Sequence, residues 1–136
     1  MNKLEYIPGD IVKIEYGEAT GKIGFVTNTF LRRKGCYSLV VFIGKGFQGS
    51  SKDDWIQTYN DEVSPIPLTP EILKKNGWEK LYEKFFEKNV NNIRLTIELS
   101  ENIYVAINRI FIMEIHYIHE LQHLLFGLGL KHEMEV

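Results

Sequence analysis

The sequence predicts an α+β protein: a small antiparallel β-barrel over residues 1–62, then a helix, a β-meander and a second helix over residues 65–136. Three observations predict it. Glycines punctuate short apolar runs in the first half, Pro65, Pro67 and Pro70 crowd a boundary, and the second half alternates apolar with polar residues before a helical repeat. In the first half, Ile11, Val12 and Ile14 begin one strand and Ile23, Phe25 and Val26 a second. Tyr37, Leu39, Val40, Val41, Phe42 and Ile43 make a third, and residues 52–59, with Trp55 and Ile56, a fourth that closes the barrel.

After the boundary, Thr69, Pro70 and Glu71 supply an N-cap, a proline at the first helical position and an acid in the first turn; Gly77 stops that helix after about two turns. Residues 78–86 fit either a charged helix or an aromatic edge strand. Ile93, Leu95, Ile97 and Leu99 alternate with Arg94, Thr96 and Glu98, and Ile103, Val105 and Ile107 with Tyr104 and Ala106, giving two strands joined by Ser100-Glu101-Asn102. Ile110–Ile115 is a third. Over residues 117–128 a helical repeat puts Tyr117, Leu121, Leu124, Leu125 and Leu128 on one face and His116, His119, His123 and Phe126 on the other. The leucines are expected to pack on the strands and the histidines to point away.

Composition sets the outer limits. At 136 residues, 44% hydrophobic and 25% charged, the chain suits one domain or two small lobes. Cys36, the single cysteine, excludes an intramolecular disulfide; Lys3 and Glu5 with no apolar run behind them give no secretion signal, so a cytoplasmic protein is expected. Glu114 and His116 interrupt the best apolar run, which argues against a membrane span. Residues 1–60 carry eight Lys or Arg against six Asp or Glu, and residues 61–136 eight against twelve. A surplus of two is far from a nucleic-acid footprint, leaving Arg32-Arg33-Lys34 as the one local candidate for a phosphate or partner contact.

The chemically loudest feature is His119-Glu120-Leu121-Gln122-His123, an H-E-x-x-H pattern. On a helix such histidines share a face and hold Zn²⁺, while the glutamate deprotonates the metal-bound water. A third ligand is required. Phe126 and Gly129 stand where the metzincin pattern needs a glycine and a third histidine, and only 13 residues follow His123. His132, Glu133 and Glu135 remain on the tail; His116 lies about 10 Å along the axis from His123, too far to share an ion with it. The sequence therefore favours no metal and no cofactor, with His119 and His123 as zinc ligands and Glu120 as base forming the alternative. Cys36, between Gly35 and a β-run, reads as a buried inert thiol, and the segment from Gly44 to Ser51 lacks the spacing of a phosphate-binding loop.

Two resemblances add to this. Gly9-Asp10-x-Val12 followed by Gly17, Gly21, Gly24 and Val26 resembles the KOW motif of SH3-like barrels, modules that dock RNA, proteins and peptides. Pro67-Leu68-Thr69-Pro70-Glu71-Ile72-Leu73, Asn76-Gly77-Trp78 and the later Tyr117-Ile118-His119-x-Leu121-Gln122 resemble a group of small uncharacterised proteins of phages and mobile elements of gut bacteria. In that group the positions of Glu120 and His123 vary while His119 and the Leu-Gln pair recur. The resemblance implies a non-catalytic accessory protein of the phage or mobile-element type, working in the host cytoplasm by binding a host protein. A nucleic-acid-binding KOW-like module is the other alternative.

Overall fold

The computed structural model describes residues 6–33, 36–44 and 55–136, and of Arg33 the backbone alone. Expectations resting on Lys3, Glu5, Lys34, Gly35, residues 45–51 and the start of the fourth strand lie outside the described residues. The described residues form ten strands and two helices, an α+β protein. The chain divides into two compact units, Met1–Ile66 and Pro67–Val136.

The first unit is a five-stranded antiparallel sheet of β1 (Ile11–Ile14), β2 (Ile23–Arg33), β3 (Cys36–Phe42), β4 (Trp55–Tyr59) and β5 (Val63–Ser64), in the order β4-β3-β2-β1-β5. β1 and β2 begin where alternation and β-branched residues predict them, and β3 begins one residue earlier, at Cys36. Of the strand expected over residues 52–59, Trp55–Tyr59 pairs with β3; the chain then turns so that Glu62 N donates to Tyr59 O at 2.9 Å, and β5 pairs with β1. No ladder among the described residues joins β4 to β5. Val12, Ile14, Val26, Leu39, Val41 and Val63 point inward with Tyr6 and Ala19 to make the core. β2 shifts register after Val26 and again after Leu31, and such bulges bend a strand. Opposite Val12 on the neighbouring strand sits Gly24, where a Cβ would collide with Phe42 O and stand 2.8 Å from Ile43 Cγ2. Only glycine lets the chains approach there.

The second unit opens with α1 (Pro70–Lys75), capped as predicted: Thr69 Oγ1 accepts from Ile72 N at 3.3 Å, and Asn76 and Gly77 (φ +86°) end the helix. β6 (Glu79–Tyr82), β7 (Phe85–Val90), β8 (Ile93–Leu99), β9 (Ile103–Ile107) and β10 (Ile110–Ile115) form an antiparallel meander, followed by α2 (Ile118–Gly127). The edge-strand reading of residues 78–86 is the one observed: β6 and the start of β7 pair as a hairpin through a turn at Glu83-Lys84. Two-residue turns at Asn91-Asn92 and Asn108-Arg109 lie wholly at positive φ, 49° and 67° in the first and 50° and 70° in the second. This geometry matches strand twist and suits asparagine, but an arginine there costs about 1–2 kcal/mol.

One expectation about α2 fails. Its buried stripe is Ile118, Leu121, Gln122 and Leu125, with His119 also buried at 6% exposure, while Leu124 and Leu128 are half-buried. A face chosen on hydropathy rejects Gln122; the fold accepts it because Nε2 donates to His132 O at 2.9 Å. Ile115 and Ile118, both fully buried, fix the rotation at which the helix enters.

Candidate functional site

The H-E-x-x-H segment occupies the first turns of α2, and its residues are divided among structural duties. Tyr117 is the N-cap and Glu120 the third helical residue. Glu120 Oε1 accepts from His116 N at 2.8 Å and from Tyr117 N at 3.0 Å, so its carboxylate is spent on the helix start, where the dipole also favours it. The His119 and His123 rings meet edge to face at 5.5 Å, as four-residue spacing requires, and His119 stacks on Tyr117 at 5.9 Å. His116 is half-exposed and pairs with Glu114 at 3.4 Å. Of the tail residues considered as third ligands, the His132 ring abuts Phe126 at 5.0 Å, and Glu135 is anchored through its backbone N, which donates to Asn76 Oδ1 at 2.8 Å. Among the described residues no three His, Cys, Asp or Glu side chains are grouped to hold a metal ion. Because glutamine caps in the same way, Glu120→Gln should leave stability within about 0.5 kcal/mol of the parent and Glu120→Ala should cost about 1 kcal/mol, read from urea midpoints.

The two sequence runs that flank the meander are stitched together. Pro67 and Tyr117 form a β-bridge, and Leu68 N donates to His116 O at 3.4 Å. Asn76 is the second stitch. Its Nδ2 donates to Ile72 O and to Glu135 O, both at 2.8 Å, so one amide ends α1 and grips both sides of the tail at Glu135. Lys88 Nζ donates to Asn76 O at 2.9 Å; burial, and secondarily Lys131, holds its pKa below the usual lysine value. Leu68, Leu73, Trp78, Ile118 and Leu121 are buried, and Gln122 ties the helix to the tail.

A different constellation lies in the first unit. Tyr16, Arg32, Cys36, Tyr59, Asp61 and Glu62 line a cleft of about 660 Å³. Glu15 N donates to Glu62 O at 3.0 Å, fastening the segment after β1 to the turn between β4 and β5. Asn60 N donates to Tyr37 O at 3.1 Å and fixes that turn to β3. The walls are held by backbone bonds while Tyr16 and Tyr59 remain 65% and 40% exposed. Of the residues singled out in the sequence, Arg32 joins this cleft, exposed at the end of β2, and Arg33 follows it in the strand. Cys36 is half-buried in the cleft wall, which corrects the reading of a buried thiol. Tyr59, Asp61 and Glu62 are near neighbours at the end of β4, but Tyr16 lies more than forty residues before them and no spacing in the sequence connects it to that turn. The chain matches no known family, characterised protein or solved structure.

Proposed function

We propose that this is a non-catalytic binding protein of the phage or mobile-element type, whose first unit is an SH3/KOW-like module that takes an extended, cationic segment of a host protein. The observation that carries this reading is the cleft: two exposed tyrosine rings and the carboxylates of Asp61 and Glu62 held on turns fastened by backbone hydrogen bonds. Tyrosine faces bind aliphatic and proline side chains and attract a cation, and carboxylates accept from lysine or arginine. The strand order β4-β3-β2-β1-β5 and the Gly24 close approach support the module assignment. The same carboxylates repel phosphate and disfavour the nucleic-acid alternative, since Arg32 shares its cleft with them. The phage-type resemblance is supported by burial: the recurring positions His119, Leu121 and Gln122 are buried, whereas Glu120 and His123 are half-exposed.

Fluorescence anisotropy with labelled proline-containing peptides that carry one arginine, or a glutamate in its place, tests the reading. The arginine peptides should bind and the glutamate peptides should not, with Tyr59→Ala and Asp61→Asn each weakening binding about tenfold. Tighter, salt-sensitive binding of a single-stranded oligonucleotide, lost on replacing Arg32, Arg33 and Lys34 by alanine, would favour the nucleic-acid reading instead.

A further inference from the structure

A second cleft lies at one end of the meander, where the tips of the β7–β8 and β9–β10 hairpins stand side by side. It measures about 530 Å³ and is lined by Asn89, Asn91, Asn92, Arg94, Asn108 and Arg109. None of its lining residues among those described is acidic. Asn108 Oδ1 accepts from Arg94 N at 2.9 Å, which commits the amide oxygen and leaves Nδ2 as the donor. Arg94 Nε meets Glu87 Oε2 at 3.6 Å, and Glu87 Oε1 accepts from Asn89 Nδ2 at 3.1 Å, so one carboxylate outside the lining braces both side chains. Arg109 makes no ion pair with a described residue. The turn holds it at φ +70°, a conformation that disfavours a side chain and that glycine would adopt freely.

We infer that this cleft binds a small phosphorylated polyol, such as a sugar phosphate, with the phosphate on Arg94 and Arg109 and the hydroxyls on the asparagine amides. Two guanidiniums with donor amides beside them match a doubly charged oxyanion. The Asn91 and Asn92 amides, which can both donate and accept, match neighbouring hydroxyls. A polynucleotide is disfavoured because residues 67–136 carry eight Lys or Arg against ten Glu.

Heteronuclear NMR titration of the full chain tests this with three probes: glucose 6-phosphate, glucose and inorganic phosphate. Glucose 6-phosphate should shift the amides of residues 89–94 and 108–109 and bind about tenfold or more tightly than either fragment. Arg109→Gln should weaken it about tenfold while leaving the remaining spectrum in place, which shows that the fold survives. Phosphate binding as tightly as the ester would overturn the polyol assignment. Absence of shifts with all three, or shifts that persist unchanged in Arg109→Gln, would overturn the site. A single-stranded oligonucleotide binding more tightly than the sugar phosphate would overturn the small-ligand assignment.

Discussion

Replacing Leu121 by alanine should lower the unfolding free energy by about 2–5 kcal/mol, as truncation of a well-packed leucine does. Leu121 is fully buried on the stripe it shares with Ile118, Gln122 and Leu125, so the cavity has no exposed side from which to collapse. His123, half-exposed on the same helix, is the internal comparison: His123→Ala should cost less than about 1 kcal/mol. Urea melts of the two variants check both values, and equal losses would mean that the histidine side of α2 is as tightly packed as the leucine side.

Gly24→Ala should cost about 3 kcal/mol, at the upper end of overpacking, although it adds a single methyl group. The added carbon meets the Phe42 carbonyl, which belongs to a paired backbone and cannot rotate away, together with Ile43 Cγ2 at 2.8 Å and Val41 Cγ1 at 2.9 Å. Gly127 supplies the contrast. It ends α2 with nothing within 4 Å of a Cβ, so Gly127→Ala should be neutral or stabilise by about 0.5–1 kcal/mol. Parallel urea melts separate the steric effect from glycine entropy.

Local chemistry made much of the fold legible. Thr69, Pro70 and Gly77 bound α1 because capping and proline geometry act within a few residues, and the alternation of Ile93 to Leu99 and of Ile103 to Ile107 fixes β8 and β9. What periodicity misses is short or non-local. β5 is two residues long and exists because β1 offers an edge; β6 is exposed throughout and shows no alternation to detect. α2 was readable as a helix but not in its rotation, since the buried Gln122 and His119 are held by contacts to Tyr117 and His132 rather than by hydropathy. Site chemistry was least legible. The H-E-x-x-H spelling has one meaning if Glu120 faces a metal and another if it caps the helix, and the spelling does not reveal that Glu120 Oε1 accepts from His116 N and Tyr117 N. The Tyr16 cleft joins turns more than forty residues apart and the Asn108-Arg109 cleft joins the tips of two hairpins of the meander, and no motif records either proximity.

The proposed function gives α2 a structural duty and needs no metal on His119 and His123. Urea unfolding of the parent protein in zinc and in chelator tests this most directly, because a metal bound to the native state must stabilise it by mass action. The account predicts superimposable curves. A midpoint raised in zinc, equivalent to about 2.7 kcal/mol at a hundredfold excess over Kd and abolished in His123→Ala, would contradict it and restore His119, His123 and Glu120 as a metal site.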